Sequence, residues 1–145
     1  MTSIADITEF AVHHYGTPYQ WGGEGKYPRD FGFDCSGFIK RIGARGGIIF
    51  TQDLTSKDLF NFCLRNGYAK QEEGCWAFFS NNDGNVCHVG YLINRDIMIS
   101  AAGGGPDCTT IEIAKAKGAK IQIQPLWWYH RMKLEGCFMP PYVLS

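Results

Sequence analysis

Two residues in this chain have the type and setting that nucleophilic acyl chemistry needs. Cys35 lies in FGFDCSGFIKRI (31–42), between an aspartate and a Ser-Gly pair, where glycine- and aromatic-rich sequence gives way to helical spacing of apolar residues. A cysteine in the first turn of a helix faces unpaired N–H groups and the positive end of the helix dipole, and both favour thiolate over thiol. His88 lies in VCHVGYL, where strand alternation turns its side chain to the face opposite Val89. An imidazole within reach of a thiol takes its proton and later returns it to a leaving amine, so the pair would form a thiol-hydrolase dyad. The other histidines suit surface or cleft-rim roles. His13 and His14 are neighbours on a helix and point to different sides, and His130 follows WWY in an irregular C-terminal stretch.

The elements that must position this pair can be read from caps and periodicity. Ser3 with Asp6 marks a helix start, and Ile4, Ile7, Phe10 and Ala11 continue it to about His14. YGTPYQWGGEGKYPRDFGF, dense in Gly, Pro and aromatic residues, reads as one wall of a cleft. A second helix begins near Cys35, presents Phe38, Ile39 and Ile42 on one face and stops at Gly46-Gly47; a third starts at the Thr55/Asp58 box and ends at Asn66-Gly67. Thereafter CWAFFS, VCHVGYLI, IMISAA, TTIEIA and KIQIQPLWW read as a strand meander. Helices first and strands after predict an α+β domain, residues 1–145, with N-terminal helices packed on a mostly antiparallel sheet.

Composition narrows the function. A chain of 145 residues with 45% hydrophobic and 19% charged residues can bury one ordinary core. Its 14 basic residues balance 14 acidic ones, so no global field draws it to nucleic acid or an anionic bilayer. No apolar run suffices to span a membrane, and MTSIADITEFAVHHY lacks a basic start and an apolar signal core, so synthesis in the cytosol is expected. Six cysteines without a C-x-x-C pair are expected to be mostly free thiols, and no metal site is implied. Gly103–Gly105 lacks the Lys-Ser/Thr of a phosphate loop and reads as a turn or close approach at the cleft edge. Trp127, Trp128 and Tyr129 read mainly as closing the core, with stacking on sugar rings as the alternative. AKAKGAK reads as a solvated edge or turn.

Four stretches, in order, resemble the NlpC/P60 cysteine peptidases, which cut peptide stems of bacterial cell walls and have a papain-like core. PYQWGG (18–23) is similar to that family's aromatic lead-in, FDCSGFIK (33–40) to its nucleophile motif, GCWAFF (74–79) to its GDLVFF strand and HVGYLI (88–93) to its histidine motif. The missing signal sequence and ISAAGGG look most like phage-encoded members that accompany tails or lysis systems.

The resemblance implies roles. Cys35 would attack the scissile carbonyl and His88 would shuttle the proton, with oxyanion support from the Cys35 N–H. Tyr19 would line the cleft near the thiolate, and Asp34 and Ser36 would help hold the stem peptide, including its free amine where one is present. Asp34 would also raise the thiol pKa, a cost the helix N-terminus and His88 must outweigh. The family's third catalytic position, twelve residues after the histidine, falls on Ser100. A serine is short and neutral and stabilises an imidazolium less than a carboxylate does, so Gln122 or Gln124 could substitute. The implied activity is an endopeptidase cutting peptidoglycan stems after γ-D-glutamate, needing no cofactor and acting at the cell wall, where a phage particle could deliver it. The alternatives are an amidase or acyl-transfer enzyme and a catalytically silent structural module of a phage tail.

Overall fold

The computed structural model describes residues 2–128 and 132–145. Three helices come first: α1 (Ile4–His13), α2 (Cys35–Arg45) and α3 (Ser56–Asn66). Each begins where a side chain satisfies the orphan amides of its first turn. Ser3 and Asp6 form a reciprocal capping box on α1, Thr55 and Asp58 form another on α3, and Asp34 accepts from Gly37 N–H on α2. The strands are β1 (Tyr68–Ala69), β2 (Trp76–Ser80), β3 (Val86–Leu92), β4 (Ile97–Ala102), β5 (Lys120–Pro125) and β6 (Lys133–Met139). They form one antiparallel sheet in the order β1-β6-β2-β3-β4-β5. The expected meander therefore holds only from β2 to β5, and β6 returns to pair with β2.

Two stretches differ from their sequence reading. TTIEIA is not a strand: Thr110 caps helix α4 (Ile111–Lys117), its side chain accepting from Ile113 N–H, and Gly118 ends the helix at φ 65. The short Ile-Glu-Ile-Ala alternation mimicked a strand, but an N-cap before it and a left-handed glycine after it fix a two-turn helix. The same helix takes in most of AKAKGAK. Trp127 does not close the core, since it is 77% exposed within a 3-10 turn (Leu126–Trp128). The side chain of Trp128, and Tyr129 and His130 entirely, lie outside the described residues.

Alternation gives the sheet two apolar faces. Trp76, Phe78, Val89, Tyr91, Ile99 and Ala101 join Ile7, Phe38, Ile39, Ile42 and Leu59 in the main core, where α2 packs on β3 and β4 and α3 on β3 and β6. Cys75, Ala77, Phe79, Leu92, Met98 and Cys137 form a smaller cluster on the other face, edged by Leu126, Met132 and Met139. Few polar groups enter the main core, and they are paired: Tyr91 Oη lies 2.7 Å from Thr8 Oγ1, and Trp76 Nε1 donates to Tyr142 Oη at 2.9 Å. All six cysteines are free thiols.

The irregular wall before α2 is held by charge. Buried Asp30 accepts from the backbone N–H of Glu24 (3.0 Å) and Lys26 (3.1 Å) and from Arg29 Nη2 (3.0 Å). Lys40 on α2 pairs with Glu24 and donates to the Gln52 carbonyl at 2.7 Å, joining this wall to the loop before α3. The Arg29 hydrogen bond, with lesser backbone donors, holds the Asp30 carboxyl down at about 2 against its own burial. Asp30→Asn should therefore cost about 1–2 kcal/mol at neutral pH, allowing for screening of the exposed Arg29. The folded pKa lies below the ordinary aspartate value of 3.8, so this contribution is present above that pH and is lost as pH falls towards 2. Melting curves of both proteins from neutral pH to pH 2 should converge at the acid end.

Candidate active site

The site is built on the first turn of α2. Asp34 takes the extended conformation of an N-cap, and its carboxylate accepts from Gly37 N–H (2.7 Å), Ser36 Oγ (3.2 Å) and Gly22 N–H (3.1 Å). One side chain thus fixes both the helix start and the wall facing it. The glycine of Asp-Cys-Ser-Gly is a packing requirement, because a Cβ on Gly37 would stand 2.0 Å from the Gly23 carbonyl oxygen. Asp34 and Ser36 line a cleft of about 180 Å³ with Gly22, Glu24, Lys40 and Asp53. Burial raises the Asp34 pKa, and the bonds from Gly37, Ser36 and Gly22 oppose that rise.

Cys35 is half-buried and its sulfur meets a residue that the sequence reading missed. Sγ lies 3.3 Å from Ser56 Oγ and 4.0 Å from the Cys87 carbonyl oxygen, and it also engages the backbone N–H of Val89. Ser56 is the first residue of α3, so the first turns of two helices converge on the thiol. The Thr55/Asp58 box located that helix start in sequence, but nothing local shows which neighbour it faces. Burial pushes the Cys35 pKa above its ordinary value, against the thiolate preference of a helix start. The Asp34 charge adds to this, while Ser56 and the backbone of Val89 and Ser36 pull against it.

His88 stands where β3 is irregular. Phe79 pairs with His88 but Ser80 pairs with Val86, which leaves Cys87 as the extra residue of a β-bulge. β3 pairs with β4 at Tyr91–Ile99 and Leu92–Met98, beyond the stretch that the thiol touches. Cys35 therefore abuts β3 on either side of His88. The buried imidazole places Nε2 3.2 Å from Ser100 Oγ, and its ring lies 5.9 Å from that of Phe79. Burial lowers its pKa to about 4. Gln122 donates to the Ala102 and Lys120 carbonyls, and Gln124 donates to Gln122.

Tyr19 is buried beneath the triple glycine; a Cβ on Gly104 would strike its ring at 2.2 Å, so this is a close approach and not a ligand loop. Its hydroxyl pKa is raised by burial and then by charge on Cys35 and Asp34. His13 is exposed, whereas His14 caps α1, bonds the Phe10 carbonyl through Nδ1 at 2.8 Å and packs on Phe33 and Phe38. His130 lies outside the described residues. Among the described residues no group of three or more His, Cys, Asp or Glu could hold a metal, and no helix is long and apolar enough to cross a membrane.

With its pKa raised, Cys35 should react with iodoacetamide at a rate that climbs with pH beyond 9, without a plateau near neutrality. Ser56→Ala removes a bond that lowers the pKa and should slow the reaction further. A pH series read by peptide mass spectrometry resolves Cys35 from the other five thiols.

Residues 16–123 match the NlpC/P60 family model. Over 95 residues the chain is 34% identical to the "Probable endopeptidase p60" of Listeria innocua, covering 66% of this chain and 19% of that protein. It thus spans under a fifth of that relative's length. The fold is similar to that of an NlpC/P60 family protein from Bacillus cereus, with a TM-score of 0.68 at 26% identity over 96% of this chain and 41% of the other. It is also similar to RipD of Mycobacterium tuberculosis, described as a non-catalytic NlpC/p60 domain protein, with a TM-score of 0.57 at 17% identity over 100% of this chain and 98% of the other. The chain belongs to the NlpC/P60 family.

Proposed function

We propose that this domain is a cysteine endopeptidase of peptidoglycan stem peptides, cutting the bond after γ-D-glutamate through Cys35 and His88. The observation that carries the reading is the Cys35 thiol at a capped helix start, lying against the β3 backbone on both sides of an imidazole bonded to Ser100. The family match and the relative described as an endopeptidase support the same class. Delivery to the wall by a phage particle rests on the sequence resemblance alone.

The raised thiol pKa and lowered imidazole pKa favour a neutral resting pair over a preformed ion pair. In this reading Nε2–H of His88 donates to Ser100, and Nδ1 takes the thiol proton as Sγ bonds to the scissile carbonyl carbon. The Cys35 N–H supports the oxyanion. Collapse breaks the C–N bond, and the amine leaves with the proton from His88. Water then attacks the thioester, His88 accepts its proton, and breaking of the C–S bond restores the thiol and releases a carboxylic acid. Ser100 stabilises the transient imidazolium as a neutral acceptor. Tyr19, Asp34 and Ser36 shape the cleft, with Asp34 acting first as the cap that sets Cys35.

Incubation with soluble muropeptides bearing tri- and tetrapeptide stems, read by mass spectrometry, tests the activity. Cys35→Ala should release no fragments, and His88→Ala should lower kcat by about 10³-fold. Ser100→Ala should cost about tenfold, since it removes a neutral partner of the imidazolium. Cutting by Cys35→Ala, or none by the wild type, would reject the proposal.

The same pKa directions fix the pH profile. kcat/KM should rise as His88 loses its proton near pH 4 and stay level past pH 8. A thiolate–imidazolium enzyme would instead lose activity as its imidazolium deprotonated, so a fall between pH 7 and 8 would reject the neutral-pair mechanism.

A further inference from the structure

On the sheet face opposite the helices runs a groove of about 610 Å³ lined by Phe79, Leu126, Trp127, Met132 and Leu134, with Gln71 and Asp96 among its lining residues. Trp127 is 77% exposed there. A large aromatic surface left in water beside an apolar groove with polar groups marks a ligand site more often than a packing accident. Phe79 forms part of its lining and also packs on the His88 ring, so the groove lies one side chain away from the imidazole. Resting on the proposed activity toward wall stems, we infer that this groove binds an N-acetylated hexosamine of the glycan strand to which the stem is attached.

The chemistry of the lining selects this occupant. The apolar wall needs a ligand with a flat C–H face, which a pyranose ring lays against an indole. The polar groups offer acceptors: the Asp96 carboxylate, and the carbonyl of Gln71, whose amide nitrogen donates to the Arg95 carbonyl at 2.9 Å. Hydroxyls and an acetamido N–H supply the matching donors. The carboxylates of a stem peptide would be repelled by Asp96, and an ammonium would leave the Leu126, Met132 and Leu134 wall unused. An uncharged, donor-rich sugar satisfies both parts of the groove.

Isothermal titration of the Cys35→Ala protein with the peptide-free disaccharide of N-acetylglucosamine and N-acetylmuramic acid tests the assignment, with free stem peptide titrated in parallel. Trp127→Ala in the same background should weaken disaccharide binding by about tenfold or more, the scale of one aromatic stacking contact. Peptide binding should be unchanged and Trp127→Tyr should restore part of the loss. No disaccharide binding, equal binding by Trp127→Ala, or a loss confined to the peptide would overturn the inference. Failure of the proposed activity reads differently: the wild type would leave muropeptides intact while the disaccharide still bound through Trp127.

Discussion

The carboxylate of Asp34 is the tie on which the site depends. With three donors it starts α2, orients Ser36 and draws the Gly22–Gly23 turn against the helix. Its neighbour Cys35 then has nowhere to project except into the junction of α2, α3 and β3. The tie works against the chemistry, because a negative charge beside the thiol disfavours the thiolate. Ser56 and the β3 backbone offset part of that cost, because the sulfur sits where two helix starts meet β3.

Burial sets the protonation of both partners. Water is largely excluded from His88, so its charged form is disfavoured, and the same desolvation raises the thiol. In the proposed mechanism a pair that rests neutral separates charge only as the thiol attacks, and it needs an acceptor ready for the imidazolium at that moment. The Ser100 hydroxyl, which bonds the ring, would fill that position while contributing less charge stabilisation than a carboxylate.

The sheet supplies the aim. The extra residue at Cys87 breaks the β3–β2 register immediately beside His88, which itself stays paired with Phe79. The bulge lies where the thiol meets the Cys87 carbonyl and the Val89 backbone. The same irregular end of the sheet carries Phe79, which joins the imidazole to the apolar groove on the far face.

Local chemistry determined much of this from sequence. Ser3/Asp6, Asp34 and Thr55/Asp58 are caps whose partners lie within four residues, so the starts of α1, α2 and α3 were legible. The alternating β-formers of β2 to β5 were legible for the same reason, as was the twelve-residue step from His88 to Ser100 once the family was suspected. Local periodicity failed at TTIEIA, where a strand-like alternation is shorter than the cap-to-cap helix that contains it, and it gave no sign of β6. Only tertiary structure decided that Ser56 faces Cys35, that Cys87 bulges, that Trp127 stays in water and that burial of the thiol opposes the pull of its helix start. Each of these depends on contacts between residues far apart in the chain or on exclusion of water, and neither is written in the spacing of neighbouring residues.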